Sequence, residues 1–243
     1  MKLDVLVMAP HPDDIELGVG GTIAKLVAAG KKVGIADLTR GELGSRGSAD
    51  LRDQEARKAA EILGVSAREN LRFRDGFFTH DEAHQMGIIR LIRRYQPDLL
   101  IANAPKDRHP DHGRASKLIR DASFLAGLRK IETEDEGEAQ MAWRPKKTLF
   151  FIQDYHMEPD LVIDISDFWE TKKKAILAYS SQFFAPGSYQ ANPDEPETYI
   201  SNEGFWHFLE GRARNTGHMV GATFGEGFIS ETPLKTELPL DVL

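Results

Sequence analysis

Apolar positions in the first 125 residues follow two alternating rhythms. Short, nearly continuous apolar runs occupy 3–9, 33–38 and 98–102, with a weaker one at 71–73. Between them lie longer stretches with helical spacing. One covers 22–29 and stops at Gly30, and another covers 51–63 and stops at Gly64, glycine being a usual residue just past a helix end. Thr79 and Glu82 form a capping-box pattern ahead of Ile88, Leu91, Ile92 and Tyr95, and a further helix is expected over 115–128. Strand and helix in alternation imply βαβ crossovers and a parallel sheet covered on both faces. The predicted fold class is therefore α/β: a Rossmann-like, mostly parallel sheet with helices on both faces and a C-terminal extension.

The second half is less regular. Strands are expected at 148–152 and 161–165 and a helix at 167–179, with an acidic loop at 132–140. Residues 183–198, rich in Pro, Gly and Asn, read as a long loop, a feature often tied to function. No repeat or convincing boundary divides the chain. The reading is one domain over 1–243, with 1–130 as the core carrying the candidate site and 131–243 adding strands, helices and an active-site loop.

Two stretches sit where such a sheet binds ligands, beyond the carboxyl ends of its strands. HPDD (11–14) follows the first strand, and HPDH (109–112) follows the fourth. In the common three-two-one-four strand order those ends are neighbours. Pro12 keeps His11 extended, so His11 and Asp14 can reach one point from either side of a turn while Asp13 points elsewhere. Pro110 and Asp111 suit a helix start, placing His112 in its first turn. Two imidazoles and one carboxylate make a hydrolytic zinc set with a position open for water, whereas structural zinc takes four protein ligands. Either stretch alone reads as a turn device, since Asp readily bonds backbone amides. Together each supplies the ligands the other lacks.

Composition narrows the classes. A net charge of −7 argues against a general nucleic-acid binder. The absence of cysteine excludes disulfides and thiol catalysis and fits the cytoplasm. No apolar stretch is long enough for a membrane span, and no signal peptide is evident. GVGGTI (18–23) resembles half of a dinucleotide fingerprint, but Ile23 stands where the third glycine belongs; its glycines are expected to let a helix approach the sheet. HDEAH (80–84) has Asp81 in place of the zinc-protease glutamate and reads as a helix start. His80, His84, His156 and His207 are read as solvent-facing or packed, and the position of His218 is open. Asp37, ending the second strand, suits either a ribose contact or a turn cap.

PHPDD with HPDH in this setting resembles the LmbE-like (PIG-L) zinc N-deacetylases. Residues 37–64, DRHPDHGRASKLI and GEGF (225–228) look closest to the bacillithiol-biosynthesis deacetylases, which remove acetate from N-acetylglucosaminyl malate. The resemblance implies that His11, Asp14 and His112 bind Zn2+, with Fe2+ or another divalent metal as a substitute, and that Asp13 is the general base. It implies that His109, protonated, stabilises the oxyanion and assists the leaving amine. Asp111 would orient His109 or simply cap the helix. Arg52 would clamp a malate carboxylate, against a plain alternative of pairing with Asp53 or Glu55; Arg108 carries the same choice. Tyr199 would close over the site. The implied partner is a small N-acetylated amino-sugar conjugate, with no nucleic acid or membrane, and the implied assembly a homo-oligomer such as a hexamer. Competing readings are a two-metal phosphoesterase, a deacetylase of N-acetylglucosamine or chitobiose, and a non-catalytic nucleotide-binding module.

Overall fold

Each of the first four strands is followed by a helix that returns the chain to the same end of the sheet, so these strands run parallel. In the computed structural model, which describes residues 1–183 and 195–235, the order is β1 (Val5–Ala9), α1 (Asp14–Ala28), β2 (Val33–Thr39), α2 (Ala49–Leu63), β3 (Ala67–Phe73), α3 (Glu82–Tyr95), β4 (Leu99–Asn103) and α4 (Pro110–Ala126). A two-residue hairpin, β5 (Glu134–Asp135) and β6 (Glu138–Ala139), closes the acidic segment through Glu136 and Gly137, both at positive φ. Then come β7 (Lys147–Phe151), β8 (Leu161–Asp164), a 3-10 turn, α5 (Trp169–Leu177), α6 (Glu203–His218) and β9 (Gly225–Ile229).

One seven-stranded sheet, ordered β3-β2-β1-β4-β7-β9-β8, takes strands from both halves of the chain. The strands from β3 to β7 are parallel, and β9 runs antiparallel to both β7 and β8. β1 pairs with β4 from Val5↔Leu99 to Met8↔Ala102, so the two strand ends that carry HPDD and HPDH lie side by side as the α/β reading expects. Alternate residues of β1 feed opposite cores. Leu6 and Met8 pack with α3 and α4, whereas Val5, Val7 and Ala9 pack with α1 and α5.

Several boundaries differ from expectation. α1 starts at Asp14 instead of 22, because three glycines disguise its first turns. Two of them are required by packing: a Cβ on Gly18 would stand 2.2 Å from the Phe151 ring, and one on Gly21 2.7 Å from Ile165. Val19 breaks the helical geometry between them. β3 is longer than 71–73; as an edge strand it accommodates Glu69 and Arg72, while the Arg68 side chain is buried against Asp37 and Glu16. α4 starts at Pro110, and Asp81, not Thr79, caps α3. α6 and β9 lie outside the expected elements, although Phe205, Leu209, Ala213 and Gly217 repeat every four residues and are buried. Most of the loop expected at 183–198 lies outside the described residues.

Candidate active site

The HPDD turn is built under backbone strain. Asp13 sits at φ 115°, in the left-handed region that a residue with a Cβ avoids, and its side chain leaves the helix start uncapped. The carboxylate instead accepts a hydrogen bond from Arg52 Nη2 at 2.9 Å. Asp14, one residue on, turns the other way, toward two imidazoles. Its Oδ2 lies 3.1 Å from His11 Nδ1 and its Oδ1 lies 3.1 Å from His112 Nε2. Gln153 Nε2 donates to the same Oδ1 at 2.6 Å.

The far nitrogen of each imidazole is anchored by carboxylates. His11 Nε2 lies 3.1 Å from Asp75 and 3.3 Å from Asp111. His112 Nδ1 lies 2.7 Å from Asp107. Histidines that bind metals show this arrangement: one ring nitrogen held by a carboxylate, the other presented to the ion. All of His11, Asp13, Asp14, Asp75, Asp111 and His112 are buried. Two groups of side chains have ligand atoms mutually within 4.8 Å, namely His11, His109 and His112, and His11, Asp75 and Asp111; Asp14 is in neither, because it turns a different oxygen to each of His11 and His112. The donor chemistry fits a borderline divalent cation such as zinc or iron(II).

The electrostatics point the same way. Burial opposes charge on every member, yet the carboxylates dominate. Asp111, Asp14 and Asp75 hold His11 well above the ordinary histidine value, and Asp14 and Asp107 hold His112 at about 9. The potential that attracts protons to these rings also attracts a cation. Despite its own burial, Asp14 is held well below the usual carboxylate range by His112 and His11. Asp13 goes the other way: burial raises it to about 7, opposed by Arg52 and assisted by Asp14.

His109 caps α4, with its Nδ1 accepting from the Asp111 backbone N–H at 3.2 Å. That contact assigns the lone pair to Nδ1 and, in the neutral ring, the proton to Nε2. Burial, then His11 and His112, lower its pKa from the ordinary histidine value. Asp111 neither orients His109 through its carboxylate nor caps the helix. That carboxylate meets His11, the Gly76 N–H and Arg114.

Arg52 and Arg108 divide the substrate-binding expectation. Arg52 pairs with neither Asp53 nor Glu55; its guanidinium is engaged by Asp13, by Gln182 Oε1 at 2.8 Å and by the Gly41 carbonyl. This explains the glycine in RGELG, since a Cβ on Gly41, at φ 64°, would stand 1.9 Å from Arg52 Nη1. Arg108 is exposed and lies 4.2 Å from the centre of the Tyr199 ring. Both line, with His11, Asp13, His109 and His112, a cavity of about 520 Å³. Asp37 belongs to a different network, bonding Arg68 through both oxygens at 2.9 Å. His80 and His84 pair with surface carboxylates; His156, His207 and His218 are exposed and do not line this cavity.

Asp75, Asp107, Gln153 and Gln182 join the site without a sequence motif of their own. Only Asp107, adjoining RHPDH, carries a local signal.

A family profile described as "PIG-L: GlcNAc-PI de-N-acetylase" matches residues 6–123. The chain is 32% identical over 189 residues to diacetylchitobiose deacetylase of Thermococcus kodakarensis, covering 74% of this chain and 70% of the relative. It is 26% identical over 195 residues to a probable N-acetyl-alpha-D-glucosaminyl L-malate deacetylase 2 of Bacillus cereus, covering 75% and 84%. It is also 28% identical over 192 residues to 4-oxalmesaconate hydratase of Pseudomonas putida, covering 73% of each. Among solved structures, a conserved protein from Thermus thermophilus is 36% identical, with 98% of each chain covered and a TM-score of 0.84.

Proposed function

The chain belongs to the PIG-L, or LmbE-like, family of deacetylases, and from that premise we propose that it is a metal-dependent hydrolase that removes the acetyl group from an N-acetylglucosamine conjugate. N-acetylglucosaminyl malate is the first substrate to test and diacetylchitobiose the second, since relatives bearing both names share most of this chain. One observation carries the reading. A single carboxylate, Asp14, is flanked by two carboxylate-anchored imidazoles on the wall of a sugar-sized cavity, with a second carboxylate, Asp13, directed away from them.

His11, Asp14 and His112 would hold a divalent ion, zinc or iron(II). Such an ion supplies Lewis acidity and brings the pKa of a coordinated water to about 7. Asp13, with its carboxyl near neutrality, takes the proton from the attacking water. Arg52 fixes the direction of that carboxylate. His109 donates its Nε2–H toward the oxygen on which charge develops, and the proton taken up by Asp13 passes to the departing amine. Arg108 and Tyr199, at the cavity mouth, face the sugar and its aglycone; Arg108, the more open of the two arginines, suits a carboxylate of malate.

The hydratase relative motivates a second reading, addition of water to an unsaturated acid. Acetate release separates the two. A panel of N-acetylglucosaminyl malate, diacetylchitobiose and N-acetylglucosamine, assayed with and without chelator, should yield chelator-sensitive acetate from at least one conjugate. No acetate from any of them, or release indifferent to chelation, overturns the proposal.

A further inference from the structure

Behind the reaction cavity lies a second one, of about 320 Å³, between α6 and the segment after β7. Ile152, Met157, Pro159, Phe208 and Met219 supply apolar wall, and Asp154 and His156 also line it. One cation enters it. Arg212, on α6, lines this cavity and also the narrow neck leading to the reaction cavity, where Leu17, Arg108 and His112 stand.

Arg212 is under-used by the protein. Its Nη2 donates to the Leu17 carbonyl at 3.0 Å, and its guanidinium lies 5.7 Å from the Phe208 ring centre. Among the described residues no carboxylate lies within 4 Å of it; neighbouring Asp154 is instead 3.6 Å from Arg108. A guanidinium has five N–H donors, and one whose charge is balanced by Asp154, Glu226 and Asp107 only from beyond ion-pair distance keeps donors free for bidentate capture of a carboxylate. The apolar walls suit the body of such a molecule, and Asn215 and Thr216 add polar groups on the same helix.

We propose that this cavity is a second ligand site, specific for a small monocarboxylate with an apolar body, and that Arg212 is its anchor. The site is separate from the acetyl-removing chemistry, so the proposal stands or falls independently of the substrate assignment.

Benzoate is a suitable probe, with benzyl alcohol as its uncharged counterpart. Calorimetric titration of the metal-loaded protein should give saturable benzoate binding in the millimolar range expected for a ligand of this size. Benzyl alcohol, or benzoate with Arg212→Met, should bind about tenfold or more weakly, the usual cost of losing a charged hydrogen bond. Gly211→Trp gives an independent check. Gly211 lines the cavity and a Cβ there meets no atom within 4 Å, so a large side chain is admitted at its wall without a backbone clash. Benzoate binding should then vanish while thermal stability stays near that of the wild type. Equal binding of benzoate and benzyl alcohol, persistence of benzoate binding in Gly211→Trp, or no saturable binding at all would each overturn the site.

Discussion

Arg52 Nη2 donates to Asp13 Oδ2 at 2.9 Å, joining positions 39 apart in the sequence. The relationship gives the arginine a partner within the site itself, beside the substrate contact expected of it. Asp13 is held off both the helix start and the imidazole cluster, at the cost of a left-handed backbone. A base that must work beside Asp14 without joining it needs such a tether. Replacing Asp13 by Ala should leave metal content near one ion per chain and reduce turnover by about a hundred- to ten-thousandfold, the usual range for a positioned base. Metal analysis alongside acetate release checks both halves; near-full activity would remove Asp13 from the mechanism.

Arg52→Met tests the tether itself. If Arg52 clamped malate, its loss would raise KM for the malate conjugate and spare N-acetylglucosamine. Because it holds Asp13, kcat should instead fall on both substrates, by an amount approaching a hundredfold for a misplaced base. Steady-state kinetics on the two compounds decide between these patterns. A selective KM effect would restore the clamp.

His112→Ala should lose the ion, and Asp107→Asn, which weakens the anchor on His112 Nδ1, should lower metal affinity by about 10- to 100-fold. Equilibrium dialysis should find one ion per wild-type chain. Two would favour the phosphoesterase alternative, in which paired metals stabilise attacking and leaving oxygens.

HPDD and HPDH are legible as parts of one candidate site because strand periodicity places them at adjacent strand ends, and β1 pairs with β4 as that reading requires. Their supports are less legible for a physical reason. Asp75 reaches His11 across 64 positions from a turn whose local sequence, RDGF, has no ligand spacing. Local guesses about partners fail similarly: the helix offers Arg52 its neighbours Asp53 and Glu55, yet the side chain finds Asp13 and Gln182 across space. The same limit applies to Asp111, whose side-chain partners come from the β3–α3 turn and from the HPDD turn as much as from its own helix.

A pH effect distant from the site is expected at Tyr95. Burial, reinforced by its hydrogen bond to Glu69, raises its phenol from 10.0 to about 12. Between those values the folded chain keeps a proton that the unfolded chain has lost, so folding stability should fall as pH rises through this window. Tyr95→Phe should flatten that part of the stability curve, measurable by urea melts at a series of alkaline pH values. An unchanged slope would place the ionisation elsewhere.

Lys172 and Glu226 offer a test of how α1 is held in place. Both are buried, and Lys172 Nζ donates to Glu226 Oε1 at 2.5 Å. The carboxylate does more than pair. Its oxygens accept from Gly21 N at 3.0 Å and Thr22 N at 2.7 Å, immediately after the break at Val19, where α1 resumes. The two partners should therefore be unequal. Glu226→Met strands a buried ammonium and uncaps the resumed helix, and should cost about 3–5 kcal/mol, as for other broken buried pairs. Lys172→Met leaves a carboxylate still satisfied by two backbone N–H groups, and should cost distinctly less. Urea denaturation of both variants measures the difference, and equal losses would show that the carboxylate serves the lysine alone.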